Sequence, residues 1–249
     1  MVRPPRAVVS HPIADLRAQP DAASELVDQA GAGEALTLLG ESGAWAYVQG
    51  EDLYFGWIQR QLLRNDTHPS RQLLVARHSA PIRREPSESS DVIGEVDAGV
   101  VSHAVQAGYV RCANGWLALA DTVPSDQLPQ RAPLPEDIVA TAESFLGVPY
   151  LWGGTTAHGI DCSGLTQQVY RLNGVGLARD ADQQALGGRP VDVARPGDLF
   201  FFGTDLVTHT AIATGETTFI HAPEAGRSVQ RGELGPDRSR LRAIRRYLL

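Results

Sequence analysis

Residues 150–162 read Tyr-Leu-Trp-Gly-Gly-Thr-Thr-Ala-His-Gly-Ile-Asp-Cys, an aromatic, glycine-rich loop that ends in a cysteine. Beyond Cys162 the apolar residues Leu165, Val169 and Leu172 recur at helical spacing, so the cysteine opens a helix. Its thiol then sits near the unpaired backbone N–H groups and the positive end of the helix dipole. An ordinary cysteine has a pKa of about 8.5, whereas one at a helix N-terminus beside a histidine can fall to roughly 3.5 to 7.5. The position is therefore expected to favour thiolate, and Cys162 is the candidate nucleophile. A lone cysteine is more often a buried, inert residue, but here Asp161 and Ser163 flank the sulfur with polar groups. Gly159 and Gly164 are expected to keep the backbone accessible. Asp161 is also placed to cap the helix.

A sulfur nucleophile needs a base, and the base needs a partner that fixes its ring. His209 and His221 can supply both, on strands expected over 208–214 and 217–222. An odd-length loop centred on Gly215 would make them direct cross-strand neighbours, whereas a two-residue loop would put them on opposite faces. His209 is assigned as general base and His221 as its orienting partner. The N–H of Cys162 is the natural oxyanion donor, with the Tyr150 phenol beside it. The other histidines, His11, His68, His78, His103 and His158, and the second cysteine, Cys112, are read as structural. Neither H-E-x-x-H nor C-x-x-C spacing occurs, so no metal site is expected and no cofactor is implied.

Four separated motifs carry a resemblance that runs from about residue 136 to the C-terminus. They are Pro149-Tyr150-Leu151-Trp152-Gly153-Gly154, Asp161-Cys162-Ser163-Gly164, the run Arg195-Pro196-Gly197-Asp198-Leu199-Phe200-Phe201-Phe202, and the pair His209 and His221. In this order they resemble the NlpC-type cell-wall cysteine peptidases, a papain-like family. The residues before them resemble paired bacterial SH3 domains, which points to the γ-D-glutamyl-L-diamino-acid endopeptidase branch. The resemblance implies that Cys162, His209 and His221 form a catalytic triad and that Tyr150, Asp161 and Ser163 line the substrate site. It also implies an ammonium pocket shared with the first SH3 domain, built from Asp161, Glu25 and Tyr54. Two departures stand out. The family's His-Val-Gly-Ile is His209-Thr210-Ala211-Ile212 here, and its Asp-Gly-Tyr turn is Asp52-Leu53-Tyr54. Arg179 could hold a glutamate carboxylate or form an ordinary surface ion pair.

Along the chain, residues 7–63 and 72–122 form a diverged internal repeat. Asp15-Leu16-Arg17, Pro20, Ser24 and Gly56-Trp57-Ile58 in the first copy correspond to Pro81-Ile82-Arg83, Pro86, Ser90 and Gly115-Trp116-Leu117 in the second. Short alternating runs broken by glycines read as antiparallel strands, so each copy should close as a small β-barrel, with Trp45, Trp57 and Trp116 as core plugs. The expected domains are 1–64 and 72–122, both SH3-like, a proline-rich linker over 123–135, and a peptidase domain over 136–249. Helices are expected over 136–146, from Cys162 to about Leu172, and over 180–186, with a strand over 199–202 and then the two histidine strands. Helices followed by antiparallel strands make the catalytic part α+β, and papain-like by the resemblance.

A chain of 249 residues, 43% of them hydrophobic, can bury more than one core. Its formal net charge of -7 argues against nucleic acid or an anionic membrane as partner. The start, Met1-Val2-Arg3-Pro4-Pro5-Arg6, lacks a continuous apolar run, and no transmembrane stretch follows. Read as a native start, this places the chain in the cytoplasm. The expected function is hydrolysis of the γ-D-glutamyl to diamino-acid bond of murein peptides with a free N-terminal L-Ala, during wall recycling. The competing readings are a wall-remodelling endopeptidase on intact murein and a non-catalytic murein-binding module.

Overall fold

A strand that buries one face shows its side chains alternately to core and solvent, and this alternation governs the N-terminal half. In the strand Ile13–Arg17, for example, Ala14 and Leu16 are buried while their neighbours are half-exposed. The computed structural model describes residues 4–65, 73–75, 79–97, 100–101, 105–112, 115–124 and 133–248. It comprises two units, residues 1–128 and 129–249.

In the first unit, strands β1 (Arg6–Val9), β2 (Ile13–Arg17), β3 (Leu26–Gly31), β4 (Ala35–Ser42), β5 (Trp45–Gln49), β6 (Phe55–Gln59) and β7 (Leu63–Asn65) pair antiparallel in the order β3-β2-β6-β5-β4-β1-β7. They enclose an aliphatic core that includes Leu16, Leu36, Val48 and Ile58. A second set follows: β8 (Leu73–Val75), β9 (Ser79–Arg83), β10 (Val92–Asp97), β11 (Val100–Val101), β12 (Val105–Gln106), β13 (Tyr109–Cys112), β14 (Gly115–Ala118) and β15 (Thr122–Pro124). Its strands pair in the orders β10-β9-β14-β13-β12 and β11-β8-β15. Each set has a 3-10 turn ahead of its last strand, Arg60–Leu62 in one and Leu119–Asp121 in the other. The second core contains Ile82, Val110, Leu117 and the buried side chain of Cys112.

Two expectations change here. The tryptophans do not plug the cores: Trp45, Trp57 and Trp116 are half-exposed. Gly56 and Ile58 point inward on β6, so the period of two turns Trp57 to the other face, where its ring lies 5.0 Å from that of Tyr47. Trp116 likewise carries the Arg111 guanidinium 5.2 Å above its ring. The linker also begins later than its prolines suggest, because Thr122–Pro124 pair with β8. Residues 125–132 lie outside the described residues.

The second unit opens with α1 (Pro135–Ser144), where proline occupies the first turn and Asp137 Oδ2 accepts the N–H of Leu134 at 2.8 Å. A two-stranded hairpin, β16 (Thr155–Thr156) and β17 (Gly159–Ile160), leads into α2 (Cys162–Leu172), and α3 (Ala181–Leu186) follows. The chain then builds an antiparallel sheet of β18 (Arg189–Pro190), β19 (Leu199–Phe202), β20 (His209–Ala213), β21 (Thr218–His221), β22 (Gln230–Glu233) and β23 (Leu241–Arg246), in the order β18-β23-β19-β20-β21-β22.

This is the α+β order expected. Leu199 and Phe201 join Ile138, Leu165, Val169, Ile212 and Ile220 in the main core. Phe200 and Phe202 join Ala211, Phe219 and Leu234 on the opposite face. Burial on both faces explains the uninterrupted Leu-Phe-Phe-Phe, since each fully buried side chain of this size is worth roughly 1.5–3 kcal/mol. Ala211 is wholly buried in this second cluster, so the bulk added relative to the family's glycine is absorbed by packing.

Candidate active site

Cys162 is the first residue of α2, and its N-cap, Asp161, accepts the Gly164 N–H on Oδ1 at 2.6 Å. The other carboxylate oxygen accepts the Gly153 N–H at 2.9 Å, which ties the glycine-rich loop to the same cap. Gly153 can turn this way because it adopts φ +73°, a left-handed conformation that costs glycine nothing. Gly164 serves close packing: a Cβ there would lie 2.3 Å from the Gly154 carbonyl oxygen. Contrary to the expectation from sequence, Gly159 and Gly164 do not open the backbone to solvent. Both are buried.

Arg179 is neither a surface ion pair nor an exposed carboxylate reader. It is 1% exposed and faces Asp161 with both arms of its fork, Nη1 to Oδ1 at 3.1 Å and Nη2 to Oδ2 at 2.8 Å. Nη1 also donates to Ser163 Oγ at 2.9 Å, and that hydroxyl lies 3.2 Å from Asp161 Oδ1. Gln184 on α3 completes the support. Its Nε2 donates to the carbonyls of Ser163 and Ala178, and its Oε1 accepts from Thr166 Oγ1 at 2.7 Å. Asp161 and Ser163 are thus committed largely to one another and to Arg179, in a buried network beneath the nucleophile.

The histidines meet by a different register from the one expected. Ile212 pairs with Ile220 and Ala213 with Phe219, which centres the hairpin on Glu216 instead of Gly215. Continued, that register puts His221 opposite Ala211, with His209 two residues farther along the same face. The rings are diagonal neighbours, still within reach for long side chains. His209 Nε2 lies 2.9 Å from His221 Nδ1. With the Nε2 proton donated to His221, Nδ1 of His209 is the basic nitrogen.

Cys162, His209, His221 and Tyr150 line one cleft of about 390 Å³ within the second unit. Cys162 is 8% exposed on its wall. Burial, and then the Asp161 carboxylate, push its thiol up to about 12, although backbone hydrogen bonds from Thr210 and Ser163 and the charge of Arg179 pull the other way. Burial, His221 and Arg240 together lower His209 to about 3. The helix end alone does not make a thiolate here; desolvation outweighs it. Both shifts disfavour the charged forms of the two groups that share the cleft, so the proton is expected to pass from thiol to imidazole as sulfur attacks. Tyr150 is pushed up by burial and by Cys162, so its phenol remains an O–H donor.

This sets an expected result. Alkylation of Cys162 by iodoacetamide rises about tenfold per pH unit between pH 6 and 9, because the thiolate fraction does so below the thiol's pKa. A rate flat from pH 5 to 8, measured by mass spectrometry of the labelled peptide, would instead reveal a preformed thiolate–imidazolium pair.

Glu25 and Tyr54 belong to the first unit. Glu25 is exposed just ahead of β3, and Tyr54 is half-buried in the turn before β6, its N–H bound to Asp52 Oδ1 at 3.0 Å. In that turn Leu53 takes φ +69°, so it holds the left-handed conformation that the family gives to glycine. His11 and His158 are exposed, while His68, His78 and His103 lie outside the described residues. Sequence reasoning overlooked Trp152, Glu224 and Arg240 as lining residues of the cleft. Trp152 lay inside a motif already singled out, but the two charges carry no motif. Among the described residues no group of three or more His, Cys, Asp or Glu side chains is placed to hold a metal ion.

The NlpC/P60 family profile matches residues 147–244, which span this cleft, and the profile of the bacterial dipeptidyl-peptidase SH3 domain matches residues 16–63. A protein of Bacillus cereus named gamma-D-glutamyl-L-lysine dipeptidyl-peptidase is 32% identical over 234 residues, covering 84% of this chain and 70% of its own. This chain belongs to the NlpC/P60 family. It is a cysteine peptidase with an N-terminal bacterial SH3 domain. A second relative, Dipeptidyl-peptidase 6 of Lysinibacillus sphaericus, is 31% identical over 253 residues, covering 90% of this chain and 89% of its own. The crystal structure of an NlpC/P60 family protein from Bacillus cereus superimposes with a TM-score of 0.86 at 26% identity, covering 98% of this chain and 100% of that one. Among the described residues no helix is long and apolar enough to cross a membrane.

Proposed function

We propose that this NlpC/P60 peptidase hydrolyses the γ-D-glutamyl to diamino-acid bond of murein peptides with a free N-terminal L-Ala, releasing L-alanyl-D-glutamate. The observation that carries the reading is a single cleft holding Cys162 at a helix start and His209 bound through Nε2 to His221. The name of the Bacillus cereus relative supplies the bond type.

In this reading His209 Nδ1 takes the Cys162 proton as sulfur attacks the γ-carbonyl carbon. The oxyanion is held by the N–H of Cys162, which at the first helical position has no acceptor within the helix. His209 then returns the proton to the leaving amine, the C–N bond breaks, and a thioester remains. Water activated by the same imidazole hydrolyses it and restores the thiol. His221 keeps His209 in the required tautomer. We read residues 72–122 as a second SH3-like barrel, because the strands from β8 to β15 repeat the strand order of the first set. The exposed tenth of the Asp161 side chain is assigned to the substrate ammonium. A requirement for that ammonium fits cytoplasmic recycling of released peptides better than attack on intact murein, where a glycan blocks the amine.

Incubation of the full chain with L-Ala-γ-D-Glu-L-Lys is expected to yield L-alanyl-D-glutamate, with the N-acetylated peptide cleaved about 100-fold more slowly or worse, the loss expected when a charged hydrogen-bonding partner is removed. Equal rates would favour wall remodelling. Absence of product from either peptide would reject the activity.

A further inference from the structure

Thr210 follows His209 on β20 and stands where the family motif has valine. A strand turns alternate side chains to opposite faces, so Thr210 shares the face of Ile212, which packs with Leu165 and Val169 of α2 in the main core. The side chain is wholly buried, and among the described residues its Oγ1 has no hydrogen-bond partner. A buried hydroxyl without a partner costs free energy, and a valine of nearly the same shape would avoid that cost. Packing therefore does not account for the oxygen.

The sulfur of Cys162 supplies an acceptor. Strand β21 pairs with β20 at Ile212 and Ala213, short of Thr210, and the Thr210 N–H donates instead to the Cys162 sulfur. Hydroxyl and N–H belong to the same residue, so rotation about χ1 from one staggered well to another carries Oγ1 toward the acceptor that the N–H already serves. A neutral thiol is a weak acceptor and gives the hydroxyl little to gain in the resting site. As the proton passes from Sγ to His209 Nδ1, the sulfur becomes an anion and the same bond becomes charge-assisted. The Thr210 proton stays on its oxygen throughout, and no covalent bond to Thr210 forms or breaks.

We infer that Thr210 is a catalytic residue whose hydroxyl, unpartnered in the resting enzyme, donates to the Cys162 thiolate as it forms. The inference rests on Cys162 being the nucleophile, and not on the identity of the peptide.

Thr210→Val removes the oxygen and keeps the volume. The charged and titratable groups around the sulfur, Asp161, Arg179, Tyr150, His209 and His221, are the same in parent and variant. Iodoacetamide labelling of Cys162 in the full chain, followed by mass spectrometry at pH 7, should slow by about threefold or more. A rise of about one unit in the thiol's pKa cuts the thiolate about tenfold, and the more basic sulfur recovers part of this in nucleophilicity. The urea midpoint should stay level or rise, because an unpaired buried hydroxyl has gone. On L-Ala-γ-D-Glu-L-Lys, kcat should fall while KM holds. Thr210→Ser, which keeps the hydroxyl, should behave like the parent. An unchanged labelling rate or kcat in Thr210→Val would assign the hydroxyl to buried solvent and overturn the inference. Equal slowing in the valine and serine variants would trace the effect to shape, and a lower urea midpoint in Thr210→Val would reveal a hydroxyl already bonded in the resting fold; either overturns it. Absence of turnover in the parent would instead refute the γ-D-glutamyl reading and leave the labelling comparison to decide.

Discussion

Cys162→Ala should abolish hydrolysis of L-Ala-γ-D-Glu tripeptides, lowering kcat by at least about 10⁴-fold, because the sulfur is the bond-forming atom and no other group in the cleft can replace it. Stability should hold: the change removes one sulfur from a side chain already 8% exposed, and substitutions of that kind shift unfolding by about 1 kcal/mol. Urea titration and product chromatography on the same preparation separate the two effects. Turnover within tenfold of the parent would reject Cys162 as nucleophile. A loss of activity accompanied by a loss of several kcal/mol would show only that the fold had failed.

The largest effect on stability is expected at Arg179. Replacing it with methionine keeps much of the volume but leaves the Asp161 carboxylate, 7% exposed, facing an uncharged neighbour. Breaking a buried pair from one side costs about 3–5 kcal/mol, whereas removing both charges together is far milder. Arg179→Met should therefore lower the urea midpoint sharply. The double variant Asp161→Asn, Arg179→Gln should recover most of the loss, since asparagine still caps α2. A single variant within about 1 kcal/mol of the parent would mean that water already solvates the pair. Because Asp161 also fixes Gly153 and the start of α2, activity should fall further in the single variant than in the double.

Much of this was legible in the letters. The helical spacing after Cys162 places α2 within its observed bounds, Leu-Phe-Phe-Phe marks β19, and the shared spacing of Arg17 to Pro20 and Arg83 to Pro86 foreshadows two sets of strands with one strand order. The parity of the histidine hairpin was left open by the sequence, since an odd loop keeps His209 and His221 on one face and a two-residue loop separates them; the pairing of Ile212 with Ile220 decides for one face. Its centre was not legible either: the sheet register aligns Ile212 with Ile220 and so centres the turn on Glu216, not on the glycine beside it.

The sequence by itself determined which residues could do chemistry and in what order the elements come, because periodicity, capping and turn residues are local properties. Only the tertiary structure decided the state of those residues. Arg179, seventeen residues beyond the nucleophile in the chain, is folded beneath it as the counter-charge of Asp161, and burial leaves Cys162 a thiol where a helix end alone would have favoured thiolate. Charge pairing and desolvation depend on distance and dielectric in space, which no local pattern encodes. For the same reason Glu224 and Arg240, unremarkable in sequence, come to line the same cleft as the two imidazoles only in the folded chain.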